Sequence, residues 1–110
     1  MAEIVLHDLA AFTRAVQQAP RILLFKHSPA CPISAMAREE YDTWRSRHEV
    51  DTLFVDVIAE RPTARGIAGE CGVQHQSPQA ILFVAGRPAW HASHEAITAD
   101  ALEAAWAPRC

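Results

Sequence analysis

The residue of this sequence best placed for chemistry is Cys31, which lies between an apolar run and a pattern typical of a helix. Pro32 follows it and suits the first helical position, because its ring presets φ and its missing N–H would be unpaired there. A sulfur at the N-cap faces free backbone N–H groups and the positive end of the helix dipole, which favour thiolate over thiol. The pattern therefore predicts a nucleophilic cysteine. The alternative, a buried structural cysteine, is disfavoured by Pro32 and by the position at a strand end.

Two further residues bear on how such a thiol would work. Ser34 stands three residues after Cys31, where a dithiol oxidoreductase carries its second cysteine. One helical turn brings its hydroxyl near the sulfur, so we expect it either to donate a hydrogen bond to the thiolate or to have no special role. Cys71 ends a predicted helix and is either a thiol that resolves a mixed disulfide on Cys31 or a small core residue. Cys110, the last residue, is given no catalytic role.

Charged residues near a thiol change its pKa. Lys26, His27 and Arg61 are candidates for raising the local positive potential, although Lys26 has the alternative of being simply solvated. Asp56 interrupts an apolar run, so it is either a buried acid with a shifted pKa or a residue that caps a turn or pairs with Arg61.

The histidines do not predict a metal centre. His75, His91 and His94 form no tight cluster with a cysteine of the spacing that zinc sites use. Residues three apart on a continuing strand point to opposite faces, which separates His91 from His94. We expect these two side chains to make structural hydrogen bonds, and no metal.

Composition narrows the class of protein. The 110 residues are half apolar and carry a formal net charge of −3, and this length predicts one domain spanning residues 1–110. We expect the protein to be a monomer. No basic surface for nucleic acid or membrane is indicated, and no apolar run approaches the roughly 20 residues of a membrane span. The start of the sequence has no signal-peptide pattern. The three cysteines do not have the pattern of a disulfide framework. We therefore expect a reducing, cytoplasmic location.

Apolar patterns and helix caps predict the order β-α-β-α-β-α-β-β-α. The predicted strands are residues 4–6, 22–25, 53–58, 80–85 and 89–93, and the helices begin after Asp8, after Cys31, at Pro62 and after Thr98. Strands that alternate with helices imply parallel pairings, and a final hairpin turning at Gly86-Arg87 adds an antiparallel edge. The prediction is an α/β protein with a mixed central sheet covered by helices on both faces. Sites in such sheets lie beyond the carboxyl ends of strands, where Cys31 is placed.

This order, with a helix-capping cysteine after the second strand and a proline before the hairpin, resembles the thioredoxin fold. More specifically, the chain is similar to the monothiol bacilliredoxins of the bacillithiol system. The matching segments are residues 24–28, 31–34, 55–58 with 61–62, 77–79, and 90–94 with 97–98. Among these segments, the motifs most specific to the family are Lys-His-Ser and Trp-His-Ala-Ser-His. One position departs from the family pattern, since Pro29 stands where a threonine commonly follows Lys-His-Ser.

The resemblance implies a thiol–disulfide oxidoreductase that removes bacillithiol from mixed disulfides on client proteins. Cys31 would attack the bacillithiol sulfur, free the client thiol and carry the bacillithiol until a second bacillithiol or another thiol regenerates it. Bacillithiol is then a co-substrate, and no bound cofactor is implied. Two alternatives remain open: a glutaredoxin-like monothiol protein that uses another small thiol, and a thioredoxin-fold interaction module without turnover.

The resemblance also implies a substrate-binding set. Its members are Pro32, Ser77, Pro78, Lys26 and His27. The thioredoxin-like position of Pro78 predicts a cis peptide bond, which would leave the backbone N–H and C=O of Ser77 free beside Cys31 for bacillithiol or a client. The alternative is an ordinary trans proline at the start of an edge strand.

Overall fold

The computed structural model describes residues 2–107, so Cys110 lies outside the described residues. The strands are β1 (Glu3–Val5), β2 (Arg21–His27), β3 (Thr52–Asp56), β4 (Gln79–Val84) and β5 (Arg87–Ser93). The helices are α1 (Leu9–Gln18), α2 (Pro32–Arg45), α3 (Arg61–Cys71) and α4 (Ala99–Trp106), with a 3₁₀ turn over His94–Ala96 before α4. This order of elements is the predicted one.

The five strands form one mixed sheet in the order β1-β3-β2-β4-β5, which places β2 at the centre. Strands β1, β3 and β2 are parallel, whereas β4 is antiparallel to both β2 and β5. The expectation of antiparallel pairing at the hairpin alone was therefore wrong. The chain after α3 returns to the edge where β2 ends, so β4 starts there with Gln79 beside Lys26.

The β4–β5 hairpin turns one residue earlier than predicted. Val84 pairs with Arg87, which leaves Ala85 and Gly86 as the two turn residues. Both have positive φ, 53° and 79° respectively. A two-residue hairpin of this type needs positive φ at both central positions, because only then does the turn match the twist of the strands. Gly86 supplies one such position without strain, and Ala85 accepts the other.

Helices cover both faces of the sheet, as predicted, and each face has its own core. On one face α2 and α4 pack with Phe25, Phe54 and Leu82. On the other face α1 and α3 pack with Leu24 and Ile81. Consecutive residues of β2 therefore alternate between the two cores, as residues of a strand must. Trp44 and Trp106 are both buried in the core on the α2 and α4 face.

Helix starts follow the signals that the sequence carries. The Asp8 carboxylate accepts a hydrogen bond from the N–H of Ala11 at 2.7 Å, and the Thr98 hydroxyl accepts one from Ala101 at 3.0 Å. Both residues are the predicted N-caps, and such caps are each worth about 1 kcal/mol. Across residues 2–107, the longest helix falls short of the apolar length needed to cross a bilayer.

Candidate active site

Cys31 is the N-cap of α2, as predicted, and Pro32 is the first helical residue. Its backbone is extended, with φ −116° and ψ 121°, and its carbonyl accepts a hydrogen bond from the N–H of Ala35 at 3.1 Å. The N–H of Cys31 donates to the carbonyl of Ser28 at 3.2 Å, which closes the loop between β2 and α2. The side chain is partly exposed. The thiol is thus fixed at the carboxyl end of the central strand and open to solvent.

Ser34 holds the loop that carries Cys31. The residue is fully buried, and its Oγ accepts the backbone N–H of Ser28 at 2.9 Å. The same oxygen lies 2.8 Å from Nδ1 of His27. A neutral imidazole that accepts at Nδ1 takes the one proton the hydroxyl can give. This corrects the expected hydrogen bond to the thiolate: Ser34 stabilises the loop around Cys31 instead.

The surroundings of His27 disfavour the charged form of its imidazole. Burial lowers the pKa of its imidazole, and the charge of Arg38 lowers it further, against the smaller opposing effect of nearby carboxylates. The ring stacks on Phe25 with centroids 5.9 Å apart and lies 5.7 Å from Phe54. The ring is packed on the α2 face and lies within hydrogen-bond distance of Ser34, which does not favour the expected positive charge. A substrate contact at His27 stays a prediction.

Lys26 points to the opposite face and is also not a substrate contact. Its side chain is 0% exposed, and its Nζ donates to Oε1 of Gln79 at 3.1 Å. Burial lowers the pKa of the amine to about 8, with a smaller opposing effect from Cys71. The structure corrects both expectations for Lys26, as a solvated residue and as a group that meets substrate. Its role is internal.

Gln79 is the residue that sequence reasoning missed. Its Oε1 accepts from Lys26 and, at 3.4 Å, from the N–H of Gln76, while its Nε2 donates to the carbonyl of Gln74 at 3.1 Å. The amide thus ties the segment before β4 to the central strand. The available signal in the sequence was a glutamine directly before the apolar run of residues 80–85. Gln79 is buried, and buried polar groups need hydrogen-bond partners.

The Ser77–Pro78 peptide bond is cis, as predicted. The carbonyl of Pro78 accepts the N–H of His94 at 3.1 Å, which joins this segment to the end of β5. Within residues 2–107, the backbone N–H and C=O of Ser77 make no hydrogen bond to the rest of the chain. The Ser77 Oγ is buried and also lacks a partner among those residues. This segment therefore offers a backbone donor and acceptor at the edge that carries Cys31.

Cys71 packs on the face of the sheet covered by α1 and α3. It is half-buried and lines a cavity of about 460 Å³ that also includes Phe12, Phe83 and Arg87. Cys31 instead begins α2, whose buried residues belong to the core on the other face. A role for Cys71 in resolving a mixed disulfide on Cys31 stays a prediction.

The loop after β3 settles the alternatives for Asp56. Its Oδ1 accepts the backbone N–H groups of Ile58 and Ala59, each at 2.9 Å, so it caps the turn. Among residues 2–107, Arg61 forms no ion pair with Asp56 or with another carboxylate. Arg61 is exposed at the start of α3.

Solved structures with similar folds share this architecture. One described as a candidate oxidoreductase with a thioredoxin fold has 32% identity and a TM-score of 0.89, covering 94% of this chain and 92% of its own. Mitochondrial thioredoxin 3 from Saccharomyces cerevisiae has 18% identity and a TM-score of 0.73, with 93% and 91% covered. Thioredoxin from Trypanosoma brucei brucei has 13% identity and a TM-score of 0.75, with 94% and 86% covered. The last two show the fold alone.

The fold and the cysteine at the start of α2 define the class: this is a thiol–disulfide oxidoreductase of the thioredoxin fold. Residues 4–102 match the family described as monothiol bacilliredoxin BrxC. The chain belongs to that family, which confirms the resemblance drawn from its motifs.

Proposed function

We propose that this protein removes bacillithiol from mixed disulfides on other proteins, with Cys31 as the attacking thiolate. Family membership over residues 4–102 is the observation that carries the proposal. The local geometry supports it, because the partly exposed Cys31 begins a helix and Ser34, not a cysteine, stands one turn later. The proposed activity belongs in the cytoplasm, because a monothiol cycle draws on a pool of reduced small thiols. We propose that the protein acts as a monomer.

The reaction consists of two thiol–disulfide exchanges. In the first, the Cys31 thiolate attacks the bacillithiol sulfur of the mixed disulfide; a new S–S bond forms, the old one breaks, and the client leaves as a thiolate that takes a proton from water. In the second, the thiolate of another bacillithiol attacks the bacillithiol sulfur now held on Cys31. Bacillithiol disulfide forms and the Cys31 thiolate returns, so no external oxidant is needed.

The cis-proline segment supports the binding part of the proposal. The cysteinyl residue of bacillithiol has an amine that donates and an amide C=O that accepts, and these can pair with the free C=O and N–H of Ser77 as the groups of neighbouring strands do. Pro32 and Pro78 would flank the sulfur as apolar, donor-free surfaces. Such pairing reads backbone groups rather than side chains, so it suits a protein that accepts many clients.

The test is removal of bacillithiol from a client protein that carries it on a single cysteine. Wild type, Cys31→Ala and Cys71→Ala are compared, with the freed client followed by mass spectrometry. We expect Cys31→Ala to lose removal entirely and Cys71→Ala to retain it. Activity that survives in Cys31→Ala contradicts the assignment of Cys31 as the nucleophile. Wild type without turnover contradicts the proposal and favours a binding module.

The choice of small thiol is tested with the same client carrying glutathione. The proposal predicts faster removal of bacillithiol by wild type. Equal or faster removal of glutathione would replace the bacillithiol assignment with a glutaredoxin-like one. If Cys71→Ala accumulates as a mixed disulfide on Cys31, then Cys71 is the resolving thiol and the cycle is not monothiol.

A further inference from the structure

A second cavity lies at the same edge of the sheet as Cys31, on the α3 side. It has a volume of about 210 Å³ and is lined by Val57, Ile58, Arg61, Ala64, Arg65 and His75. The N–H of Val57 donates to the carbonyl of His27 at 2.9 Å. The cavity is therefore joined to the end of β2, from which the Cys31 loop departs.

The lining of this cavity carries unpaired positive charge. Arg61 and Arg65 are one helical turn apart, so their side chains share a face of α3. Neither has a carboxylate partner among residues 2–107. The acids nearest in sequence are engaged elsewhere, since Glu60 pairs with His7 at 2.8 Å. Asp56 accepts two backbone N–H groups of its own turn.

His75 also lines the cavity and lies close to positively charged side chains. Its pKa is lowered by burial and then by the positive charges of Lys26 and Arg65. Its Nδ1 is buried and has no hydrogen-bond partner among the described residues. With a proton on Nδ1, the ring would donate a hydrogen bond to an oxygen bound there. Two free guanidinium groups and an unpaired imidazole nitrogen thus line one small concavity.

We propose that this cavity is an anion subsite that binds the carboxylates of the small thiol exchanged at Cys31. The inference rests on the proposed function, because bacillithiol joins its cysteine through glucosamine to malic acid and so carries two carboxylates remote from the sulfur. Guanidinium groups bind carboxylates through paired, charge-assisted hydrogen bonds. At ~30 Å³ for each liquid water, the volume equals about seven waters, which suits a small diacid and excludes a helix or strand of a client.

The first experiment needs no thiol chemistry. Free malate is titrated into the reduced protein at constant ionic strength, and backbone and imidazole NMR shifts are followed. We expect saturable shifts at Arg65 and His75. A double variant, Arg61→Gln with Arg65→Gln, should bind at least tenfold more weakly, which corresponds to about 1.4 kcal/mol. Arg47→Gln is the matched control, because Arg47 is an exposed arginine outside the cavity lining.

Several results would overturn the subsite. They are shifts that grow linearly with malate, equal weakening by Arg47→Gln, and an acidic peptide that binds more tightly than malate in an Arg65-dependent way, which would make the cavity a client-docking surface. Both arginines are exposed, so neither substitution removes core packing.

The second experiment uses the exchange itself. Attack of Cys31 on a client mixed disulfide is measured with bacillithiol and with cysteinyl-glucosamine, the same thiol without the malyl group, as the thiol attached to the client. The double variant should raise KM for the bacillithiol-bearing client about tenfold and leave KM for the client with the shorter thiol unchanged. An equal effect on both thiols overturns the subsite. If Cys31 exchanges with no thiol at all, the proposed function fails and the malate titration alone decides the subsite.

Discussion

Lys26 is the only lysine in the sequence, and the structure buries it completely in the central strand. Its one hydrogen-bond partner among residues 2–107 is the amide of Gln79, so the ammonium has no carboxylate to offset its lost hydration. Burial lowers its pKa from 10.5 to about 8. We therefore predict that this amine makes stability depend on pH in the alkaline range, in a direction opposite to that of a lysine paired with a carboxylate.

The size of the effect follows from the two pKa values. Below pH 8 the amine is protonated in both the folded and unfolded states, and the folded protein bears the full desolvation penalty. Between pH 8 and 10.5 the unfolded chain holds more protons, so the free energy of unfolding rises with pH. The separation of 10.5 from about 8 corresponds to a gain of about 3.5 kcal/mol, at ~1.4 kcal/mol per pH unit. Most of it, about 2.5 kcal/mol, is reached by pH 10.

The assay compares wild type with Lys26→Met by urea denaturation under reducing conditions from pH 7 to pH 10. Other groups titrate in this range, so the quantity to follow is the difference in unfolding free energy between the two proteins. We expect that difference to shift in favour of wild type as the pH rises. Because the chain has a single lysine, ¹³Cε-lysine labelling gives one NMR signal whose titration reports the Lys26 pKa directly.

A difference that stays constant within 0.5 kcal/mol, taken as roughly the error of extrapolated unfolding free energies, would refute the reasoning. So would a lysine NMR signal that titrates near its ordinary value, because then the ammonium is hydrated or paired. Lys26→Arg serves as the control, since guanidinium stays charged throughout. The free energy of unfolding of Lys26→Arg should stay low, as expected for a buried charge, and should not rise between pH 8 and pH 10.

Three further predictions concern the surroundings of the site. Ser34→Ala should lower the free energy of unfolding in urea by about 1–3 kcal/mol, because the N–H of Ser28 loses its acceptor. Glu40→Ala should lower it by about 1–2 kcal/mol, since Glu40 accepts the N–H of Ala99 at the start of α4 at 2.9 Å. Acidification below pH 6.5 should destabilise the protein, because the unfolded chain takes up a proton that the half-buried His27 resists. His27→Gln should reduce that fall in the free energy of unfolding, measured in urea at pH 5 and 7.

Each of these predictions has a result that contradicts it. For Glu40→Ala the matched control is Glu39→Ala, an exposed neighbour on the same helix that should change stability little. Equal losses in the two variants would mean that helix propensity or charge, not the bond to α4, is responsible. A Ser34→Ala protein as stable as wild type would show that water replaces the hydroxyl at the loop. An unchanged acid slope in His27→Gln would assign the slope to other groups.

Local signals in the sequence predicted the parts of the site that depend on neighbouring residues. Cys31 followed by proline identified the start of α2, and Asp8 and Thr98 identified two more helix starts. The side-chain partners were not predictable in this way. The bond between His27 and Ser34 depends on how the loop of residues 28–31 folds, and no spacing rule encodes that path.

The direction of β4 was missed for a related reason. Alternation of strands and helices favours parallel pairing. The segment after α3, however, returns the chain to the edge where β2 ends, so β4 starts there and runs antiparallel to β2. The burial of Lys26 did have a signal in the sequence. A single lysine at the end of an apolar run becomes a core residue when the strand is central and covered on both faces, which only the sheet order reveals.

Adjacent residues of β2 hold the two sides of the reactive edge. Lys26 faces α3 and, through Gln79, fixes the segment that leads to the cis-proline. His27 faces α2 and, through Ser34, fixes the loop of Cys31. Because successive side chains of a strand point to opposite faces, one rigid dipeptide can support both segments at once. Substitution at either position should therefore change the rate at which Cys31 reacts with an alkylating agent, without contact with the sulfur. Substitution of Arg21, at the opposite end of β2, should leave that rate unchanged.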